Sequence, residues 1–270
     1  MEKIVKKNKL EILLCHLSHT GLGSPATEAI PLGLGYISAY LQNWFAEAIN
    51  VRLMVFPEDL DHAVAGDLKP DIVGFGTFTW NRNLTDYYSK KIKDAINPLI
   101  LYGGQELPIG SDQQTRFMME RPFVDFCVPA EGEIGMRNIV ERYLNSSKDI
   151  ESMKIKAIEG VIFLDSNSDL VSENNEIEPV NLNDLPSPIL TGVFDDFFQK
   201  GLTPMLQFVR GCPNKCAYCR QGSVESKKIR RYPSKISLEA ILYLEKRVEN
   251  IGKHLSKLAE DHGCKPVGEC

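Results

Sequence analysis

Between residues 10 and 145 the sequence alternates short apolar runs with longer amphipathic stretches, and this alternation limits the folds open to the chain. The apolar runs at 10–15, 51–56, 72–76, 99–102 and 125–128 carry no polar residue at every second position, as expected of strands buried on both faces. Stretches at 32–45, 59–65, 84–96, 111–120 and 134–144 show helical spacing. Strands that alternate with helices predict a parallel sheet covered on both sides. The expected fold class is α/β, with a Rossmann-like (flavodoxin-like) sheet domain over residues 1–150.

The pattern then changes. Residues 156–165 read as a strand followed by turn chemistry at Asp165, Ser166, Asn167 and Ser168. Residues 172–188 are rich in Asn, Glu, Asp and Pro, which bury little apolar surface, so 151–200 is expected to be a linker with short strands. Residues 205–209 predict a short strand, and 237–250 a helix.

The formal charge of −5 argues against a general nucleic-acid binder, which needs a basic face. No apolar run approaches the roughly 20 residues that cross a bilayer. The short apolar stretch near the N-terminus runs into His16 and a polar loop, unlike a signal peptide. Seven cysteines, three of them in one loop, point to metal ligation in a reducing cytoplasm rather than to a disulfide framework.

That loop reads Arg210-Gly211-Cys212-Pro213-Asn214-Lys215-Cys216-Ala217-Tyr218-Cys219. Three thiolates this close in sequence can reach one metal centre. Iron–sulfur cubanes usually take four cysteines, so a set of three leaves one iron open to a small molecule. Structural zinc is the alternative. It needs a fourth ligand, and His254, His262, Cys264 and Cys270 lack tight spacing to the triad.

The C-x3-C-x2-C spacing with an aromatic residue before the last cysteine resembles the signature loop of the radical S-adenosylmethionine (SAM) superfamily. The resemblance implies a [4Fe-4S] cluster held by Cys212, Cys216 and Cys219, with SAM chelated at the open iron and Tyr218 beside its nucleoside. It also implies a reducing electron donor such as flavodoxin or ferredoxin, and a β/α barrel whose first strand feeds the loop.

Upstream, an ordered series of segments is similar to the cobalamin-binding domain that precedes the barrel in one branch of this superfamily. It runs through Pro31-Leu32-Gly33-Leu34-Gly35-Tyr36-Ile37, Pro70-Asp71-Ile72-Val73-Gly74-Phe75-Gly76-Thr77-Phe78-Thr79-Trp80-Asn81 and Tyr102-Gly103-Gly104-Gln105. It continues with Val124-Asp125-Phe126-Cys127-Val128, Glu131-Gly132-Glu133 and Asp184-Leu185-Pro186-Ser187-Pro188. Each of the middle segments lies where a strand should end, and open α/β sheets bind ligands there. Thr77, Gly103, Gly104, Glu131 and Gly132 are therefore expected to form a cobalamin edge. The Asp-x-His-x-x-Gly motif that supplies a lower cobalt ligand in related domains is absent. Asp61 and His62 precede Gly66 at the wrong spacing, and His62 is expected at the surface.

Weaker signals take ordinary readings. Gly21-Leu22-Gly23-Ser24-Pro25-Ala26 matches a dinucleotide fingerprint, but Pro25 and the delayed helix start spoil its geometry. Glu131 and Glu133 read as helix-start chemistry. The basic run 227–231 reads as a solvated face that permits a carboxylate or phosphate contact.

The resemblance implies several β/α units beyond Cys219, whereas the sequence supplies one strand and about one helix. Residues 201–270 are thus expected to be the opening of an incomplete radical SAM barrel, truncated on its C-terminal side. The expected function is radical SAM chemistry by the full-length parent, with methyl transfer as one form, on a substrate the sequence leaves unknown. Alternatives are a non-enzymatic corrinoid carrier and a zinc or iron–sulfur electron-transfer protein.

Overall fold

The computed structural model describes residues 9–18, 20–21, 24–25, 29–66, 68–173, 179–214, 216, 219 and 228–261. The chain opens with β1 (Leu10–Cys15), in which every residue but Glu11 is buried. A small antiparallel pair, β2 (Thr20–Gly21) and β3 (Ser24–Pro25), precedes α1 (Leu32–Phe45). A 3-10 turn leads to β4 (Ile49–Met54), then α2 (Pro57–Ala65), β5 (Ile72–Gly76), α3 (Arg82–Ile96) and β6 (Leu99–Gly103). Next come α4 (Ser111–Met119), β7 (Phe126–Val128), α5 (Gly132–Asn145), α6 (Ile150–Met153), β8 (Ile162–Leu164) and β9 (Leu170–Ser172). The last part holds α7 (Asp195–Gln199), β10 (Val209–Arg210), β11 (Arg230–Arg231) and α8 (Ser234–Asp261).

The main sheet has seven strands in the order β4-β1-β5-β6-β7-β8-β9. The first five are parallel, and β8 and β9 extend the sheet antiparallel. Taken alone, the parallel strands follow the order second, first, third, fourth, fifth, which is the flavodoxin-like arrangement. The protein thus contains the expected Rossmann-like α/β domain. Because the chain moves outward from β1 to β4 and then back to β5, the strand order reverses between β1 and β5.

All five expected strands and five expected helices are present, with local shifts that have local causes. β4 begins and ends two residues earlier than its apolar run implies, because its pairing with β1 starts at Leu10 and Ile49. Val55 and Phe56 leave the sheet, and Pro57 then opens α2 at a position where its missing N–H has no helical partner to lose. α3 ends on Asn97 in the left-handed region at φ 45°.

β5 is wholly buried, and Phe75, Tyr102, Phe126 and Phe163 are the largest side chains in the core beneath and around it. α1 and α5 pack side by side on one face. On the other, the Tyr88 hydroxyl donates to Asp61 at 2.9 Å and Arg121 pairs with Asp86 at 3.0 Å, linking α2, α3 and the end of α4. Of the residues expected to form a strand at 156–165, only Ile162–Leu164 do so. Asp165 closes the following turn by accepting from the backbone N–H of Asn167 and Asp169.

The segment expected to be a polar linker is more deeply packed than its composition implies. Residues 174–178 lie outside the described residues, but Leu182 and Leu185 are buried against Tyr36 and Tyr40 of α1. Ile189, Phe194, Phe197 and Phe198 form a further apolar cluster with Ala240 and Leu244 of α8. Strand structure is also later than expected before the cysteine loop. Residues 204–208 form no regular element, and Val209 and Arg210 pair antiparallel with Arg231 and Arg230.

Candidate functional site

The carboxyl ends of β1, β5, β6 and β7 open into a cavity of about 650 Å³, within the roughly 300–1,000 Å³ typical of cofactor clefts. It lies over the point where the strand order reverses, the position at which open α/β sheets bind ligands. Its floor is low because three strand residues have no side chain: Gly74, Gly76 and Gly103 all line it. Gly76 and Gly103 are register partners on adjacent strands.

The glycines have different reasons for being there. A Cβ at Gly76 or Gly103 would meet nothing in the protein closer than 3.5 Å, and neither has a positive φ. Packing within the protein therefore does not require glycine at either position; close approach of a bound group would. Gly104 is required by the fold, since its φ is 103° and a Cβ would sit 2.5 Å from the Thr77 carbonyl oxygen. Gly132 permits the approach of Ile37 on α1 to the start of α5.

Of the residues expected to form the cofactor edge, Gly103, Gly104, Glu131 and Gly132 line the cavity. Thr77 sits behind it: it is 1% exposed, and its hydroxyl donates to the Gly103 carbonyl at 2.7 Å. It ties the ends of β5 and β6 together rather than facing the space.

One wall is aromatic. His16 follows β1, its ring 5.1 Å from that of Phe78, and Phe78 stacks on Trp80 at 4.6 Å. Burial pushes the His16 pKa down to about 4, so the imidazole is neutral near pH 7. Asn81, fully buried, holds this wall in place. Its side-chain amide donates to the Leu17 and Gly76 carbonyls and accepts from the Phe78 N–H at 2.8 Å. His62, by contrast, is exposed on α2, away from the cavity lining.

The roof comes from two segments. One is the turn and first residues of α1, from Ala29 to Leu34. The other includes Met205, Gln207, Val209, Arg210 and Gly211, which lead directly into Cys212. Cys212, Cys216 and Cys219 are free thiols of intermediate exposure, and the Cys219 N–H donates to the Cys216 carbonyl at 3.1 Å. Among the described residues no three His, Cys, Asp or Glu side chains already converge as a metal site, so the sulfurs would have to draw together around a cluster. Tyr218, expected beside a nucleoside, lies outside the described residues.

An ionic network joins roof to rim. Arg210 donates to Glu131 at 3.1 Å and to Glu133 at 2.8 Å, and Arg230 donates to the other Glu131 oxygen and to the Val180 carbonyl. The Glu133 side chain is 3% exposed and that of Arg210 10%. The Arg210 guanidinium lies 4.9 Å from the centre of the Tyr36 ring, which stacks on Tyr232 at 5.4 Å. Burial works against the Arg210 charge, but Glu133 and then Glu131 outweigh it and hold its pKa above the usual range. Desolvation likewise raises both tyrosine pKa values. Glu131 and Glu133 occupy the helix start expected of them, and the basic run makes the carboxylate contact it permits, through Arg230. Nothing in the sequence pairs these residues, which lie 77 to 99 positions apart.

Two curated proteins resemble the chain. It is 26% identical over 213 residues to the cobalamin-dependent radical SAM methyltransferase TokK of Streptomyces tokunonensis, a match covering 75% of this chain and 30% of the relative. It is also 26% identical over 241 residues to the 2-(S-pantetheinyl)-carbapenam-3-carboxylate methyltransferase of Streptantibioticus cattleyicolor, covering 85% of this chain and 34% of the relative. The chain spans about a third of the length of these relatives. No family model matches it. Among the described residues no helix is long and apolar enough to cross a membrane.

Proposed function

We propose that this protein binds a corrinoid in the cavity at the strand ends and an iron–sulfur cluster on the cysteine loop above it. The whole protein then transfers a methyl group by radical SAM chemistry. The observation that carries this reading is the juxtaposition itself: the last residues lining the cavity roof, Arg210 and Gly211, are followed at once by Cys212. Two distant relatives named as methyltransferases, one of them as cobalamin-dependent and radical SAM, support it.

The residues fit both groups. A planar macrocycle needs a flat surface and apolar or aromatic walls; Gly76 and Gly103 supply the first, and His16, Phe78 and Trp80 the second. A cubane with one open iron needs three thiolates from a short loop, and Cys212, Cys216 and Cys219 are unpaired. When bound, the cluster and SAM supply a carbon radical initiator, and the corrinoid supplies a transferable methyl group.

The protein's own residues bind, orient and exclude water. The glycine floor lets a macrocycle approach the backbone, while the roof segment covers it and shields it from solvent. Neutral His16 adds an uncharged edge to the aromatic wall. Cys212, Cys216 and Cys219 would hold the cluster that takes SAM, Tyr218 is the candidate for its nucleoside, and the chemistry would draw its electron from a flavodoxin- or ferredoxin-type donor.

Anaerobic reconstitution with iron and sulfide, followed by addition of hydroxocobalamin, tests the binding claims. The expected result is cluster iron and bound corrinoid on the same polypeptide. Corrinoid without cluster iron would leave a carrier, and iron or zinc without corrinoid would leave a metal protein of another kind.

A further inference from the structure

The cysteine loop runs from β10 to β11, and both feet of this loop are tied to the same turn of the sheet domain. Arg210 and Arg230 face each other across the two-stranded pair. Like charges placed directly opposite destabilise such a pair. Here Glu131 accepts from both guanidinium groups, and Glu133 takes the second arm of Arg210. Both carboxylates and Arg210 also line the cavity. Burying charges costs desolvation that can cancel much of the gain from pairing them, so what such a network adds at a loop base is geometric specificity.

We propose that Glu131 and Glu133 are positioning residues that clamp both feet of the cysteine loop to the cavity rim, coupling occupation of the cavity to the state of the loop. The inference rests on the functional reading above and adds to it. Whatever fills the cavity meets the same side chains that hold the loop, so each occupant changes the other's affinity by the same factor. A roof held only by apolar contact would shift with side-chain repacking; here Arg210 reaches two carboxylates through separate nitrogens and Glu131 reaches two guanidinium groups through separate oxygens, which fixes the loop feet at several points. The stacked Tyr36 and Tyr232 support the Arg210 plane and restrict it further.

Two measurements on the 270-residue chain test this, with E133Q and E131Q as variants and R210K as the conservative control. The first is hydrogen exchange, which needs no cofactor. The clamp predicts at least about tenfold faster exchange at 209–212 and 229–232 in E133Q, with β1 and β5 unchanged and R210K intermediate. Equal acceleration in sheet and loop feet, or no change at the feet, overturns the clamp. If E133Q does not fold, E131Q, whose carboxylate is 29% exposed, carries the same comparison.

The second is hydroxocobalamin affinity with and without a reconstituted cluster. Coupling predicts affinities differing by about tenfold in the wild-type protein, within the usual range for linked sites. In E133Q carrying the same amount of cluster iron, the ratio should fall to about one. A ratio near one in the wild-type protein, or one unaltered in E133Q, overturns the coupling. Failure of the wild-type protein to bind hydroxocobalamin or cluster iron overturns the functional reading and, with it, the coupling, while the exchange result decides the clamp separately.

Discussion

At the residue scale the cavity lining separates a glycine that the fold requires, Gly104, from two that it does not, Gly76 and Gly103. A Cβ at position 76 or 103 meets only ordinary contacts within the protein. Gly76→Ala and Gly103→Ala should therefore fold with stability within about 1 kcal/mol of wild type and weaken hydroxocobalamin binding in an absorbance titration. Gly104→Ala should do the reverse at the level of stability. It forces a side chain into a backbone region that disfavours it and against the Thr77 carbonyl, at a cost of about 1–3 kcal/mol or more in urea unfolding. Equal effects of the substitutions at 76 and 104 would contradict this division. His16 gives a second residue-scale test. Its pKa falls from about 6.5 unfolded to about 4 folded, so between those values the unfolded state binds the extra proton. The contribution is fully present above pH 6.5 and is lost as pH falls towards 4, by up to about 3 kcal/mol. His16→Gln should flatten the pH dependence of unfolding in that window, and an unchanged slope would count against a neutral buried imidazole.

At the element scale, strands and helices of the parallel region were legible because each has one requirement. Strands such as β5, covered on both faces, need an unbroken apolar run, and helices such as α1 need one apolar stripe. The stretch around Leu182 and Leu185 was not legible. Its polar composition hides two leucines that anchor it to Tyr36 and Tyr40, because anchoring depends on which side chains meet rather than on average hydropathy. Leu185→Ala should cost about 2–5 kcal/mol in denaturant unfolding, as a buried leucine does. A loss below about 0.5 kcal/mol, the range of ordinary surface substitutions, would restore the reading of this stretch as a loose tether. The strand expected at 205–209 failed for a related reason. Apolar residues such as Met205, Phe208 and Val209 read as a short strand, yet all three are exposed. Among the described residues the strand partner here is antiparallel β11.

At the scale of the whole molecule, strand order decides where chemistry can occur. Reversal between β1 and β5 opens the cavity, and the glycine-bearing ends of β5 and β6 keep its floor low. Sequence reasoning placed Gly103, Gly104, Glu131 and Gly132 at this edge because a turn residue after an apolar run marks a strand end. It missed Asn81, Arg210 and Arg230 in their structural roles, since each acts through partners distant in sequence. The spacing of Cys212, Cys216 and Cys219 is plain in the sequence; that the residues just before it roof a cavity was not. The central claim is that corrinoid and cluster sit against each other across that roof. Pulsed electron paramagnetic resonance of the anaerobically reconstituted protein, with the cluster reduced and cob(II)alamin added, tests it most directly. The account predicts a dipolar interaction between the two paramagnets on one polypeptide; two superimposed, independent spectra would contradict it.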